Sequence, residues 1–81
     1  MRVIVKLFAV LRERAGIGEL LLELPAGATA QSAAAALAER TPALRQFLGR
    51  CAFAVNRSYV PSSATLNDGD ELAIIPPVSG G

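Results

Sequence analysis

The C-terminal tail, residues 76–81, is the part of this chain whose composition best fits a chemical role. Two prolines cannot donate hydrogen bonds to a sheet, so a strand should end where they begin. Glycine has no Cβ, so the final glycines can carry the terminal α-carboxylate into a channel too narrow for other residues. The alternative interpretation is an inert end, because chain termini are commonly disordered. In order, the tail consists of Pro76, Pro77, Val78, Ser79, Gly80 and Gly81.

Apart from that carboxylate, few groups in the sequence are suited to catalysis. There is no histidine, which excludes a histidine-based triad and most metal sites. The sequence also lacks a glycine-rich phosphate loop and a nucleophile placed beside a base. We therefore predict no metal site and no catalytic side chain.

The composition indicates one small domain. A chain of 81 residues buries only about 60% of the surface that its unfolded form exposes. Its apolar runs are too short to span a bilayer, and a net charge of +1 without a charge block argues against nucleic-acid binding. Lys6 interrupts the first apolar run, so residues 1–11 do not resemble a signal peptide. The lone cysteine, Cys51, suits a reducing compartment, and we predict a cytoplasmic protein without a membrane partner.

Two strands are predicted in the first part of the chain. The segments are a strand over 2–10, a charged loop over 12–18 and a second strand over 19–24. Period-two alternation places Val3, Val5 and Leu7 on one face of the first strand, and Lys6 marks the other as the solvent face. The second strand turns alternate leucines inward and its glutamates outward. Their closeness in sequence predicts an antiparallel hairpin.

A helix is predicted over residues 30–40, with Thr29 as its N-cap. Its alanines fall at helical spacing on one face and imply a close approach to a sheet. Thr41 and Pro42 are a cap residue and a proline typical of a second helix start, and Gly49 ends that short helix. The inward faces consist of Ala30, Ala33, Ala34, Leu37, Leu44, Phe47 and Leu48.

The remaining segments alternate again. They are a strand over 51–56, a short edge strand around Tyr59, a turn over 66–70 and a last strand over 71–75. Gly69 is suited to the positive φ of that turn. Cys51 falls on the side of Phe53 and Val55, so we interpret it as a packed core thiol. The order of elements predicts an α+β fold, with four to five strands packed on one main helix and a short helix.

One consequence of the alternation is an apolar group of residues on the face assigned to solvent. Ile4, Phe8 and Ile75 lie on the same face as Lys6, and Tyr59 is a further candidate. A contiguous apolar patch on a surface usually marks an interface. The prediction depends on the strand register, because a shift of one residue reverses every assignment.

Several segments together resemble the small subunit of molybdopterin synthase. They are Leu7-Phe8-Ala9, Leu11-Arg12-Glu13, Ala54-Val55-Asn56, the turn Leu66-x-Asp68-Gly69-Asp70-Glu71, and the Pro-Pro-Val-Ser-Gly-Gly tail. The resemblance spans the whole chain and is most specific in its C-terminal third. It implies the ubiquitin-like β-grasp fold, with a mixed sheet in a domain over residues 1–76 and a flexible tail over 77–81.

The resemblance also implies a function and a set of partners. An adenylating enzyme similar to ubiquitin-activating enzymes, using ATP and Mg²⁺, would activate Gly81. A sulfur donor such as a cysteine desulfurase or a rhodanese would then convert it to a thiocarboxylate. The large synthase subunit, in a heterotetramer of two small and two large subunits, would pass the sulfur to precursor Z (cyclic pyranopterin monophosphate). This chain would bind no cofactor itself and act as a non-catalytic carrier in molybdenum cofactor biosynthesis.

The family's partner-binding surface corresponds here to Phe8, Arg12, Tyr59 and Ile75. Close relatives are expected to hold phenylalanine in place of Ile75 and an aliphatic residue in place of Tyr59. Two alternatives remain open. One is a related carrier for thiazole, tRNA thiolation or cysteine synthesis, and the other is a ubiquitin-like interaction domain whose tail is inert.

Overall fold

A computed structural model of the protein describes residues 1–77, and residues 78–81 lie outside the described part. The strands are β1 (Arg2–Leu7), β2 (Glu19–Glu23), β3 (Ala52–Val55), β4 (Ser58–Val60) and β5 (Glu71–Ile75). The helices are α1 (Ala9–Ala15), α2 (Ala30–Arg40) and α3 (Arg45–Leu48), the last preceded by a 3₁₀ turn over Pro42–Leu44. No helix among the described residues is long and apolar enough to cross a membrane.

The five strands form one mixed sheet in the order β2-β1-β5-β3-β4. β1 pairs antiparallel with β2 and parallel with β5. β3 pairs antiparallel with both β5 and β4. The predicted N-terminal hairpin, the short edge strand at Tyr59 and the α+β class are therefore confirmed. Because β1 and β5 are parallel, both of their C-terminal ends lie at the same end of the sheet.

The hydrophobic core lies on the face of the sheet covered by the helices. Val3, Val5 and Leu7 are buried in β1, as are Leu72 and Ile74 in β5. Ile4, Lys6 and Ile75 alternate with them and are only half-buried. The predicted strand register is thus correct, and the outward-facing residues are those that the alternation assigned.

The predicted helix over residues 30–40 is confirmed at both ends as α2. Thr29 caps it with a reciprocal pair of hydrogen bonds. Its Oγ1 accepts from the backbone N–H of Ser32 at 3.2 Å, and Ser32 Oγ accepts from the N–H of Thr29 at 3.2 Å. The inward side chains of α2 are mostly small, and they belong to the hydrophobic core. Those that are buried are Ala30, Ala33, Ala34 and Leu37.

Replacing Thr29 with alanine should lower the free energy of unfolding by about 1 kcal/mol, because it removes the acceptor that satisfies a helix N-terminal N–H. Chemical denaturation of the wild type and the variant measures the difference. Ser63→Ala, an exposed hydroxyl elsewhere on the surface, is the control and should change stability by no more than about 0.5 kcal/mol. Equal effects of the two substitutions would contradict a role for the cap.

The prediction of a loop over residues 12–18 is wrong for the first part of that segment. β1 ends at Leu7 rather than at residue 10, and α1 occupies Ala9–Ala15. Leu11 is fully buried in the core, and Gly16 ends the helix with φ +76, a conformation that favours glycine. The charged residues suggested a loop because their positions were not tested against a helical period. The signal that was missed is an apolar Leu11 followed by a glycine at the C-cap position.

Candidate functional site

The outer face of the sheet carries the apolar residues that the alternation predicted. Phe8 is 43% exposed and Tyr59 is 74% exposed. Ile4 and Ile75 are half-buried on the same face. We call these four residues, Ile4, Phe8, Tyr59 and Ile75, the outer-face patch. Strands β1, β4 and β5 position Ile4, Tyr59 and Ile75, and Phe8 follows β1 directly as the extended N-cap residue of α1.

The strand register places Tyr59 and Phe8 on neighbouring rows of this face. Lys6 is paired with Ala73, Ala73 with Ala54, and Ala54 with Tyr59. Small alanine side chains therefore separate Lys6 from Tyr59. Phe8 and Ile75 each follow one member of the pair Leu7–Ile74, and the backbone of Phe8 is still extended, so continuing the parallel register places the two side by side. The result is a shallow alanine floor between larger side chains.

Lys6 lies within this face and pairs with acidic residues on both neighbouring strands. Its Nζ is 3.8 Å from Oε1 of Glu19 and 3.4 Å from Oε1 of Glu71. Its side chain is 37% exposed, so water screens these contacts and they contribute little to stability. Their effect is to hold the ammonium group against the sheet.

Arg12 comes close to Phe8 through α1. A surface groove of about 460 Å³ is lined by both residues, together with Lys6, Leu7, Gly18 and Glu19. The Arg12 side chain lies across Gly18, where an added Cβ would be 3.1 Å from the Arg12 Nε. Of the predicted partner-binding residues, Phe8 and Arg12 thus share one groove, and Ile75 lies beside Phe8. Gly18, which was not among the predicted site residues, also lines this groove.

The root of the tail is packed against the protein. β5 ends at Ile75, as the prolines predicted, and Pro76 is buried while Pro77 is exposed. A groove of about 340 Å³ beside them is lined by Val10, Gln46, Phe47, Arg50, Pro76 and Pro77. The predicted tail residues Val78, Ser79, Gly80 and Gly81 lie outside the described residues.

Cys51 is half-buried and packs against the core, immediately before β3. Its Sγ donates to the carbonyl oxygen of Phe47 at 3.2 Å. Burial raises the pKa of this thiol, because a low-dielectric environment disfavours the thiolate. The thiolate is the nucleophilic form, so the local environment suppresses the reactivity of Cys51.

Replacing Cys51 with alanine should leave any sulfur loading of the protein near the wild-type level and cost only about 1 kcal/mol of stability. Intact-mass measurement after loading and chemical denaturation test the two parts separately. Alkylation of the native thiol by iodoacetamide should also be slower than that of the unfolded chain, because its pKa is raised. Loss of loading in a variant that still folds would mean that the thiol takes part in sulfur transfer.

The site thus combines an apolar outer face, a groove shared by Phe8 and Arg12, and a tail anchored by Pro76. Comparison with known proteins shows the family of this chain, because the sequence pattern of the ThiS family matches residues 5–81. The chain belongs to the ThiS family. It is 43% identical to the molybdopterin synthase sulfur carrier subunit of Chlamydomonas reinhardtii, and the alignment covers 100% of both chains.

Solved structures of similar proteins share the fold. The crystal structure of small archaeal modifier protein 1 from Haloferax volcanii superposes with a TM-score of 0.87 at 34% identity, covering 100% of both chains. A complex of subunits 1 and 2 of the molybdopterin-converting factor from Helicobacter pylori contains a chain with a TM-score of 0.69 at 28% identity, again over 100% of both. The resemblance to molybdopterin synthase small subunits and the β-grasp fold are therefore confirmed. The roles of the individual site residues stay predictions.

Proposed function

We propose that this ThiS-family protein is the sulfur carrier subunit of a molybdopterin synthase. The observation that carries the proposal is the full-length similarity to curated sulfur carrier subunits, 43% in the alga Chlamydomonas reinhardtii. The family pattern also extends through the last two glycines to residue 81. A role in which the C-terminal carboxylate is the working group accounts for both.

The chemistry of the carrier begins with activation. A carboxylate is a poor electrophile, so an adenylating enzyme would use Mg²⁺-ATP to convert the Gly81 carboxylate into an acyl-adenylate, releasing pyrophosphate. Sulfur from a donor would then displace AMP, so that a C–S bond replaces the C–O bond to the phosphate. Because no histidine is present in the chain, partners would supply the acid–base groups. This protein would supply the acyl group and hold it in place.

The second half of the cycle would take place on the large synthase subunit. The thiocarboxylate would donate its sulfur to precursor Z, and water would supply the oxygen that returns the carrier to the carboxylate form. The Helicobacter pylori structure is a complex of subunit 1 with subunit 2, which supports the corresponding pairing here. We further propose a heterotetramer of two small and two large subunits, as the family resemblance implies.

Two structural features suit the carrier role. The outer-face patch offers a rigid docking surface, since β-strands hold its members, and an exposed aromatic such as Phe8 is a typical interface anchor. The buried Pro76 fixes the point from which the tail leaves. The five residues from Pro77 to the end can extend to roughly 16 Å. Docking would thus place the tip within a limited distance of the partner's active site.

The proposal is tested by loading the purified protein. Incubation with ATP, a sulfur source and the activating enzyme of the same organism should increase its intact mass by one oxygen-to-sulfur exchange. A parallel reaction without ATP should leave the mass unchanged, because sulfur has no leaving group to displace. A protein that never gains this mass would be an interaction domain with an inert tail.

The loaded protein also separates the carrier classes. Mixed with the large subunit and precursor Z, it should yield the dithiolene of molybdopterin and revert to the carboxylate form. A loaded protein that fails in this reaction would instead serve thiazole, tRNA or cysteine synthesis.

A further inference from the structure

The charges of this protein are separated between the two ends of its sheet. α1 and the segment over residues 42–50 carry four of the eight basic residues but only one of the seven acidic ones. Both segments lie at the end where β1 and β5 finish and β3 begins, which is also where the tail leaves. The charged residues of these two segments are Arg12, Glu13, Arg14, Arg45 and Arg50, and the ion pair of Lys6 with Glu19 lies at the same end of the sheet. The opposite end, around the start of β5, is acidic, with Glu23, Asp68, Asp70 and Glu71 against Arg2 and Arg57.

Part of this positive charge borders the groove at the root of the tail. Arg50 lines the groove together with Val10, Phe47 and the two tail prolines. The guanidinium carbon of Arg14 lies 5.7 Å from the centre of the Phe47 ring, within the range of a cation–π contact. We call this surface, made of Val10, Arg14, Phe47 and Arg50, the basic groove. It is built on α1 and on α3 with the residues that follow it, so it is separate from the outer-face patch.

The arginines of the basic groove are available to an external partner. Both Arg14 and Arg50 are exposed. Within residues 1–77, neither forms an ion pair, whereas Arg2 and Lys6 each pair with glutamates on adjacent strands. An apolar floor of Val10 and Phe47 between unpaired guanidinium groups suits a partner that brings carboxylates around an apolar side chain.

We propose that the basic groove docks against a carboxylate-bearing surface of the adenylating enzyme, beside the opening through which that enzyme receives the tail. This inference rests on the proposed carrier function and adds to it a second contact surface and the charge of its counterpart. Opposite charges at the root of the tail would steer the tail end, rather than the acidic end, toward the enzyme.

The adenylating enzyme fits this surface better than the large synthase subunit does. The large subunit is the partner proposed for the outer-face patch, and the basic groove lies outside that patch, on α1 and around α3. The adenylating enzyme is the other partner that must receive the tail, and the groove borders the root of the tail. The groove is therefore assigned to the adenylating enzyme.

Charge reversal at the groove tests the proposal. Arg50→Glu, alone and together with Arg14→Glu, should slow association with the adenylating enzyme about tenfold at low ionic strength, with the loss shrinking in high salt. The matched control is Arg57→Glu, which makes the same change in net charge at the acidic end and should alter the rate less than about threefold. Binding of each variant to the large subunit should change by a similarly small factor.

The outcomes distinguish this inference from the carrier function itself. Equal losses for Arg50→Glu and Arg57→Glu would mean that only net charge matters, and a larger loss toward the large subunit would assign the groove to that partner. Either result overturns the inference while wild-type sulfur loading stands. A wild-type protein that neither binds the enzyme nor loads sulfur would overturn both. Because Arg14 also contacts Phe47, the single Arg50→Glu variant decides the test if the double variant unfolds.

Discussion

Deleting Gly81, or adding one residue after it, is expected to abolish sulfur loading while leaving the fold intact. The reason is that the α-carboxylate must reach the adenylating site, and the tail sets that distance to within about 3.3–3.6 Å per residue. A residue with a Cβ at the tip would also need more room than glycine does. Ile74 and Pro76 are the last buried residues of the described domain, so neither change at the tip alters the core.

Intact-mass measurement after incubation with ATP, a sulfur source and the activating enzyme checks this expectation. Ser79→Ala is the control, since it keeps the tail length and the terminal glycine, and it should load within a few-fold of the wild type. Thermal unfolding of all variants should coincide. Either tip variant gaining the oxygen-to-sulfur mass would show that Gly81 is not the reactive residue.

Replacing Phe8 with alanine should weaken binding to the large synthase subunit roughly thirtyfold. Truncating an apolar anchor at an interface often costs about 2 kcal/mol or more of binding free energy, which corresponds to about that factor in affinity. Phe8 is 43% exposed at the end of β1 and lies next to Ile75. Its removal should therefore cost the isolated domain much less than removal of a core aromatic. Titration calorimetry with the large subunit and thermal unfolding of the free protein measure the two effects separately.

Two matched variants sharpen this prediction. Leu21→Ala truncates an apolar residue of β2 that is 56% exposed and is paired with Ile4 at the edge of the outer-face patch, so it should weaken binding much less than Phe8→Ala does. Phe53→Ala removes a phenylalanine that is only 7% exposed, and should destabilise the free domain by about 3–5 kcal/mol. If Phe8→Ala lost stability like Phe53→Ala, or bound like Leu21→Ala, the outer-face patch would not be the docking surface.

The outer-face patch and the basic groove would contribute to different stages of partner binding. The patch is apolar and rigid, which favours affinity once water is excluded. The groove is charged and lies beside the tail root, which favours the rate and orientation of encounter. A carrier that must leave one enzyme and enter another benefits from surfaces that each partner uses to a different degree.

The sequence predicted most of the fold because its local signals agree with one another. Thr29 as the predicted N-cap marked the start of α2, and the alternation around Lys6 assigned the faces of β1 correctly. α1 was missed because seven residues form too short a window for a helical period to stand out, and three of them are consecutive charged residues. Only its packing, which buries Leu11 completely, reveals that this segment belongs to the core.

The sequence by itself determined the tail, the absence of histidine and the single cysteine, since these depend on residue identity alone. It also determined which strand residues face outward, because that follows from a period of two. The tertiary structure alone decided that β5 lies between β1 and β3, and hence that Phe8 and Ile75 adjoin. It also decided that Arg14 and Arg50, 36 positions apart, flank one phenylalanine beside the tail. The physical reason is that strand order and helix packing depend on contacts between distant segments, which no local pattern encodes.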